Sequence, residues 1–320
     1  MHALSLDKAL HSALSEPLSS CSQGCAHFLI FAMFDSIANN IPYEQLQMHG
    51  VQLTIKRLDS VHPQISGNKF FKLKYNFAEA QQQGLTKILT FGGAYSNHIA
   101  ATAFAAHKFG FESVGIIRGE ELADKPLNPT LKTAQNFGMQ LHFVSREAYR
   151  QKQQASYLEQ LSLLYPQHYI IPEGGTNQLA IQGCKEILTA SDTANFDLIC
   201  TAAGTGGTIA GLIEASSAEQ KILGFSALKG NFLTADVAQL TRKKNWRITD
   251  EYCFGGYAKT SAQLMQFIHD FEQKYGIPLE QIYTGKMLYG IEQMILQGQI
   301  LPHQRILVIH SGGLQGKIQP

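Results

Sequence analysis

Cysteine is scarce in this chain, and its cysteines lack the spacing of a metal site. Five thiols occur among 320 residues, at positions 21, 25, 184, 200 and 253. Only Cys21 and Cys25 lie close together, as a lone pair in a poor context for a metal. Because an odd, unpaired set indicates reduced thiols, we expect no metal site and a cytoplasmic protein.

An excess of charge of one sign is also lacking. Lys and Arg together number 26 and Asp and Glu 25, which gives a formal net charge of +1, and no long basic run occurs. Nucleic acids and acidic membrane surfaces attract proteins through clustered positive charge. We therefore expect no nucleic-acid partner and a small molecule instead.

Long hydrophobic runs are missing too. The apolar patch from Phe28 to Phe34 is too short to span a bilayer, and no basic n-region or cleavage site marks a signal peptide. We expect no membrane association. Residues 1–40, which are rich in serine, are interpreted as a disordered extension or a mis-assigned start, with Met33 opening the natural chain.

Short apolar runs alternating with helical patterns are abundant. With 320 residues and 44% hydrophobic composition, the chain can form about two domains of ordinary size. Helix boundaries are marked by Ser96 with Gly110, and by Asn128-Pro129 with Gly138. The pattern predicts mostly parallel sheets in two closely packed α/β domains. The predicted strands span residues 88–91, 114–117, 141–144, 169–171, 198–201, 222–225 and 306–309.

A lysine at a predicted helix start is the most informative residue. Lys69 follows Gly67 and Asn68, and the apolar residues after it recur at helical spacing, which predicts one buried face: Phe70, Leu73, Phe77 and Ala80. An amine in a partly buried, apolar site loses proton affinity through desolvation and becomes a candidate Schiff-base nucleophile. The alternative is a lysine on the surface of a basic helix.

A second segment ends a strand and begins a helix, with the sequence Phe91-Gly92-Gly93-Ala94-Tyr95-Ser96-Asn97-His98. Free N–H groups at such a helix start, together with the Ser96 hydroxyl and the Asn97 amide, form a natural site for a carboxylate. This favours an amino-acid substrate. The alternative is that Ser96 only caps the helix.

A third segment, from Ala203 to Gly211, combines glycines and threonines after an apolar strand. It lacks the lysine of a Walker A loop, and Ile209 stands where the dinucleotide fingerprint requires a glycine. A single phosphate monoester remains, held by backbone N–H groups and by the hydroxyls of Thr205 and Thr208. A tight turn without a ligand is the alternative.

In this order, the segments resemble the pyridoxal-phosphate enzymes of the tryptophan-synthase-β type. The branch is the one that contains 1-aminocyclopropane-1-carboxylate deaminase and D-cysteine desulfhydrase. The resemblance extends from about Pro42 to Gly316 and includes two further motifs, Tyr283-Thr284-Gly285-Lys286 and His310-Ser311-Gly312-Gly313. It implies two three-layer α/β domains, a larger one of residues 41–82 and 176–320 and a smaller inserted one of residues 83–175. The cofactor, pyridoxal 5'-phosphate, would lie between them.

The resemblance also implies residue roles. Lys69 matches the lysine that binds the cofactor as a Schiff base. Asn97 matches the amide on the cofactor's phenolic oxygen, and Ser96 and His98 lie with it where the substrate carboxylate binds. The catalytic set is Lys69, Ser96, Tyr257 and Tyr283, although the segment around Tyr257 lacks the proline and later glycine common in the family. The other cofactor-binding residues are Gly204, Thr205, Gly206, Gly207, Thr208, Thr284 and Ser311.

Two positions separate the activities within this branch. Deaminases carry a glutamate after the second tyrosine and a leucine after the C-terminal histidine, where this chain has Thr284 and Ser311. A carboxylate beside the pyridine nitrogen keeps it protonated and deepens the electron sink, whereas a hydroxyl leaves it largely neutral. The hydroxyl pair therefore favours β-elimination. Phe71 and His98 replace the usual arginine and glutamine and are expected to reshape the substrate pocket.

The sequence thus predicts β-elimination on a small amino acid, with D-cysteine giving pyruvate, sulfide and ammonia, by a homodimer. One alternative is deamination of 1-aminocyclopropane-1-carboxylate to 2-oxobutanoate and ammonia. The other is a cofactor-binding module without turnover. Two residues that resemble functional ones are predicted to be structural: His310 at the end of a core strand and Trp246 on the surface.

Overall fold

The computed structural model describes residues 23–317. The helices, in chain order, are α1 Gln23–Ile37, α2 Asn68–Gln82, α3 Asn97–Phe109, α4 Pro129–Asn136, α5 Arg146–Arg150, α6 Ala155–Leu164, α7 Gln178–Lys185, α8 Ala190–Asn195, α9 Gly207–Ala215, α10 Phe232–Leu240, α11 Ala262–Tyr275 and α12 Thr284–Leu296. The strands are β1 Tyr43–Met48, β2 Val51–Arg57, β3 Lys87–Gly93, β4 Glu112–Arg118, β5 Gln140–Val144, β6 His168–Ile171, β7 Leu198–Ala203, β8 Lys221–Ser226, β9 Trp246–Thr249 and β10 Ile306–His310.

The strands form two sheets. The larger has the order β1-β2-β10-β7-β8-β9 and is parallel except for the antiparallel pair β1 and β2. The smaller has the order β5-β4-β3-β6 and is parallel throughout. Every residue of the central strands β7 and β10 is buried, as expected for parallel strands covered on both faces. The predicted α/β class with mostly parallel sheets is confirmed.

Each of the seven predicted strands is present and slightly longer than predicted. Strands β1, β2 and β9 were not predicted, because their polar residues obscure the apolar pattern. Trp246, predicted as a structural residue that packs at the surface, is the first residue of edge strand β9 and is partly buried against the core, in agreement with that role. Its indole Nε1 donates a hydrogen bond to the Lys243 carbonyl oxygen at 2.8 Å.

The segment before residue 40 corrects another expectation. Residues 1–22, with Cys21, lie outside the described residues, but residues 23–37 form helix α1 rather than a disordered extension, and Met33 lies within it. Ile30 and Phe34 are fully buried. The ring of Phe34 lies 4.6 Å from that of Phe109 and 5.2 Å from that of Phe70. Ile30 and Phe34 of the apolar patch therefore pack in the core beside α2 and α3.

The carboxyl ends of the parallel strands determine where a site can form. The strands of the smaller sheet all lie within residues 87–171, and the larger sheet takes its strands from both sides of that segment. This separation supports the domain boundaries at residues 82–83 and 175–176, which stay a prediction.

None of the helices in residues 23–317 has the length and apolar character needed to cross a membrane.

Replacing Phe34 with alanine tests whether α1 belongs to the core. We expect the change to lower the free energy of unfolding by about 3–5 kcal/mol, because a large buried ring is lost and a cavity remains. The measurement is the urea midpoint of the purified protein. Leu163→Ala, on a side chain that is 78% exposed, is the control and should stay within about 0.5 kcal/mol. Equal, small effects of both changes would contradict the placement of α1.

Candidate active site

A cavity of about 590 Å³ opens at the carboxyl ends of β3, β7 and β10 and at the start of α2. Most of the predicted site residues line it: Lys69, Ser96, Asn97, His98, Gly204, Thr205, Gly206, Thr208, Tyr257, Tyr283 and Ser311. Gly207 and Thr284 are not among the lining residues. The fold thus brings together segments that are more than 200 residues apart in the chain.

Lys69 lies in the first turn of α2, which begins after Gly67. Gly67 has a φ of +66°, and a Cβ there would lie 1.9 Å from the Ser311 carbonyl oxygen. Only glycine permits this approach, and the Asn68 N–H completes it by donating to the same oxygen at 3.2 Å. The start of α2 is therefore fixed against the end of β10, with Lys69 and Ser311 facing one cavity.

The Lys69 amine has the properties of a nucleophile. Burial, followed by the charge of Lys72, lowers its pKa from 10.5 to about 7. Its Nζ donates to Asn68 Oδ1 at 3.1 Å, and Asn68 Nδ2 donates to Thr208 Oγ1 at 2.7 Å. Desolvation thus leaves much of the amine uncharged at neutral pH, and Asn68 links it to the glycine-threonine loop.

Lys72 is a functional candidate that the sequence analysis missed. Its side chain is 2% exposed, and its Nζ donates to the Gly174 carbonyl at 2.9 Å and to Thr176 Oγ1 at 3.0 Å. Thr205 Oγ1 lies 3.4 Å away. Burial lowers its pKa to about 8, and no carboxylate in residues 23–317 forms an ion pair with it. The signal in the sequence was its position one helical turn after Lys69.

The loop beside Lys72 offers free donors. Helix α9 begins after Gly206, which has a φ of +82° and no capping side chain. The first N–H groups of the helix therefore have no side-chain partner, and the positive end of the helix dipole lies there. A buried ammonium without a counter-ion is costly. An anion bound between Lys72 and this loop would satisfy both.

Ser96 and Asn97 form the start of α3. Ser96 Oγ accepts a hydrogen bond from the Ile99 N–H at 3.4 Å, so Ser96 caps the helix and lines the cavity at the same time. Asn97 Oδ1 is buried and has no hydrogen-bond partner among the described residues. Because a buried amide normally has its partners, Asn97 is suited to a polar ligand in the cavity.

His98, which lines the cavity, has an unused hydrogen-bond acceptor. Thr90 donates its only hydroxyl proton to the Ile171 carbonyl at 2.9 Å, so it must accept from His98 Nε2 at 2.8 Å. The other ring nitrogen, Nδ1, is buried without a partner. Burial, then the charges of Lys69 and Lys72, keep the pKa of His98 well below its usual value. The imidazole is therefore neutral, with its Nδ1 lone pair unused.

The two predicted tyrosines meet across the cavity, with ring centroids 6.1 Å apart. Burial raises the pKa of Tyr283 well above its usual value. Burial also raises the pKa of Tyr257, although a hydrogen bond with Tyr283 opposes the shift. Both phenols therefore keep their protons at neutral pH. They are available as proton donors, and Tyr257 is reached from solvent because it is 39% exposed.

Thr284 and Ser311 differ in what their hydroxyls can contact. Thr284 is fully buried, and its Oγ1 donates to Glu280 Oε1 at 3.2 Å and accepts from the Glu280 N–H at 3.1 Å. That hydroxyl is therefore engaged outside the cavity. Ser311 lines the cavity. Glu280 itself accepts hydrogen bonds from the N–H groups of residues 282–284 and so caps the start of α12.

Phe71 and His310 are both buried in the core, although only His310 was predicted to have a structural role. Phe71 does not line the cavity; it is buried in the core, with its ring 5.7 Å from that of Phe70. The expectation that Phe71 reshapes the pocket is therefore wrong, because the side chain points to the packed face of α2. His310 ends β10 fully buried, and its Nε2 donates to the Pro278 carbonyl at 2.8 Å, so the structural role predicted for it is supported.

Comparison with known proteins indicates one family. Residues 39–312 match the family model described as pyridoxal-phosphate dependent enzyme. A putative 1-aminocyclopropane-1-carboxylate deaminase of Pyrococcus horikoshii is 30% identical over 284 residues, which cover 83% of this chain and 86% of that protein. The bifunctional D-cysteine desulfhydrase/1-aminocyclopropane-1-carboxylate deaminase of Arabidopsis thaliana is 31% identical over 295 residues, covering 84% and 74% of the two chains. A crystal structure of an ACC deaminase homologue superposes with a TM-score of 0.75 at 27% identity, covering 90% and 95%.

The lowered pKa of Lys69 leads to a test by chemical labelling. In cofactor-free protein, the rate of acetylation of Lys69 should rise with pH and reach half its maximum near pH 7, because only the uncharged amine reacts. Mass spectrometry of the Lys69 peptide measures the rate. Lys72→Met should move the midpoint to higher pH, since a neighbouring positive charge is removed, while Lys108→Met should leave it in place. A midpoint near pH 10 in the unmodified chain would contradict the site geometry.

Proposed function

Because this chain belongs to the family of pyridoxal-phosphate dependent enzymes, we propose that it catalyses β-elimination on a small amino acid. The proposed substrate is D-cysteine, which gives pyruvate, sulfide and ammonia. The main support for this reaction is that no free carboxylate of the described residues lines the cavity. Within residues 23–317, Glu173 is the only acidic lining residue, and it is bound by Tyr149 at 2.6 Å and Lys152 at 3.2 Å.

The residues of the cavity fit pyridoxal phosphate. Within residues 23–317, Lys72 is a buried cation without a carboxylate partner. The start of α9 has uncapped N–H groups beside it, and together these groups suit a phosphate dianion. Lys69 supplies an amine with a pKa near 7, and Asn97 has an unpaired buried oxygen. We propose Thr205, Thr208 and the loop between them as the phosphate site, with Lys72 as its counter-charge.

When bound, pyridoxal phosphate supplies an electron sink that stabilises negative charge at the substrate α-carbon. Lys69 would hold the cofactor, and its amine would take the α-proton of the substrate. Ser96, Asn97 and the N–H groups at the start of α3 bind the substrate carboxylate. Tyr283 or Tyr257 donates a proton to the departing β-substituent, which both can do because their phenols stay protonated.

The absence of a free carboxylate also ranks the two activities. Opening a cyclopropane ring demands a protonated pyridine nitrogen or other assistance, whereas sulfide leaves readily once the α-proton is lost. Of the two hydroxyls that replace the deaminase residues, Ser311 lines the cavity, whereas that of Thr284 is engaged by Glu280. Deamination of 1-aminocyclopropane-1-carboxylate is the second candidate, which the names of the Pyrococcus and Arabidopsis relatives favour.

We also propose a homodimer, which sedimentation of the purified protein would test.

Removing the proposed phosphate ligands should weaken cofactor binding. Charge-assisted hydrogen bonds contribute roughly 1.5–3 kcal/mol each, so Thr205→Ala, Thr208→Ala and Lys72→Met should each raise the dissociation constant about tenfold or more. Absorbance titration of cofactor-free protein measures it. Thr193→Ala and Lys243→Met are matched controls away from the cavity. If the double threonine variant binds as tightly as the unmodified protein, the phosphate lies elsewhere.

The choice of reaction is tested by the ratio of the specificity constants for D-cysteine and 1-aminocyclopropane-1-carboxylate, which reports differential transition-state binding. We expect the ratio to favour D-cysteine by at least about 100-fold, or roughly 3 kcal/mol. Ser311→Asp should lower the ratio, because a carboxylate in the cavity stabilises a protonated pyridine, whereas Ser311→Ala should keep the preference. Sulfide, pyruvate and 2-oxobutanoate are measured with D- and L-amino acids. Equal release of the two 2-oxo acids would refute the proposal.

A further inference from the structure

Lys286 is a buried lysine that holds a loop rather than a carboxylate. It lies in the first turn of α12 and is 2% exposed. Its Nζ donates to the Cys253 carbonyl at 2.8 Å and to the Gly256 carbonyl at 2.8 Å, and no carboxylate in the described part of the chain forms an ion pair with it. Burying an amine among backbone carbonyls alone is costly, so the contact is expected to serve the loop.

The loop that it holds is conformationally strained. Within residues 254–258, four residues have positive φ: Phe254 at +52°, Gly255 at +85°, Gly256 at +118° and Ala258 at +56°. Residues other than glycine rarely adopt such angles, and they persist only where surrounding contacts impose them. The remaining residue of this stretch is Tyr257, whose ring faces the cavity. The strained backbone therefore carries one of the two proposed proton donors.

The same helix start also places the other tyrosine. Tyr283 immediately precedes α12, and Glu280 caps that end of the helix through three backbone N–H groups. Gly285 lets the helix pack closely, since a Cβ there would lie 2.6 Å from Ile268 Cδ1 and 2.8 Å from the Glu280 carbonyl oxygen. The first turn of α12 thus fixes Tyr283, which immediately precedes it. The same turn also contacts the loop of Tyr257 through the Lys286 amine.

We infer that Lys286 is a positioning residue for Tyr257, binding the 253–256 turn so that the phenol faces the substrate. The inference rests on the proposed function, since it concerns one of the proposed proton donors. It assigns a role to the last residue of the Tyr283-Thr284-Gly285-Lys286 motif. Lysine suits this position because its long stem crosses the core and its amine reaches two carbonyls at once.

Hydrogen exchange of the holoenzyme tests the contact without relying on turnover. In Lys286→Met, the amides of Gly256 and Lys259, which donate to the Cys253 and Gly256 carbonyls, should exchange at least about tenfold faster, because two restraining hydrogen bonds are lost. Each carbonyl keeps its turn hydrogen bond, so the variant should fold. If Lys286→Met does not fold, Lys286→Gln replaces it in the test, because its shorter side chain removes the charge but keeps an amide NH2 group as a donor.

The matched control is Lys243→Met, since Lys243 also donates to two carbonyls, those of Glu214 at 2.8 Å and Ser216 at 2.7 Å, away from the cavity. This change should leave exchange in the 253–259 loop unaltered. Loop exchange within twofold of the unmodified enzyme in folded Lys286→Met would overturn the inference. This outcome is independent of which amino acid the enzyme uses.

A double-mutant cycle then tests whether Lys286 acts through Tyr257. Displacing a positioned group by about 1 Å can cost about 100-fold in rate, so Lys286→Met and Tyr257→Phe should each lower kcat with little change in KM. Combined, they should lower kcat no more than about threefold beyond the larger single effect. Losses that multiply would show that Lys286 acts independently of Tyr257. If no amino acid is turned over, the proposed function fails while the exchange experiment still decides the contact.

Discussion

The contact between the start of α2 and the end of β10 is the constraint on which the site depends. A Cβ on Gly67 would overlap the Ser311 carbonyl oxygen, and the Asn68 N–H donates to that same oxygen. The strand and helix are thereby held closer than any side chain at residue 67 would allow. Lys69 and Ser311 consequently face each other across one cavity, although 242 positions separate them in the chain.

The pKa values of the ionisable groups in the cavity are shifted mainly by burial and less by ion pairs with other side chains. Lys69 and Lys72 lie one helical turn apart, and desolvation lowers the pKa of each. Burial, and then the charges of the two lysines, also keep the pKa of His98 well below its usual value. Carboxylates would oppose these shifts. Among residues 23–317, Glu173 is the only acidic residue that lines the cavity, and it is engaged by Tyr149 and Lys152. The site therefore combines an amine that readily loses its proton with a positive field. Pyridoxal phosphate, an anionic aldehyde, requires both.

The far side of the cavity depends on buried polar contacts of another kind. The carboxylate of Glu280 caps α12 and takes the hydroxyl of Thr284, while Lys286 spans to the loop of Tyr257. These groups do not line the cavity, yet they determine where two phenols lie. Buried polar groups of this sort specify one arrangement when every partner is present.

Local patterns in the sequence determined the α/β class and seven of the strands, and they predicted the chemistry of three segments, because glycine, lysine and helix-capping residues act within a few positions of themselves. Tertiary structure alone decided which side chains meet. Phe71 and Lys72 are adjacent in sequence, but the turn of α2 directs one to the core and the other to the cavity. The sequence suggests Thr284 as a cofactor ligand, but in the folded chain its hydroxyl is engaged by Glu280. Such outcomes depend on contacts between distant segments, whose burial and hydrogen bonding no local pattern records.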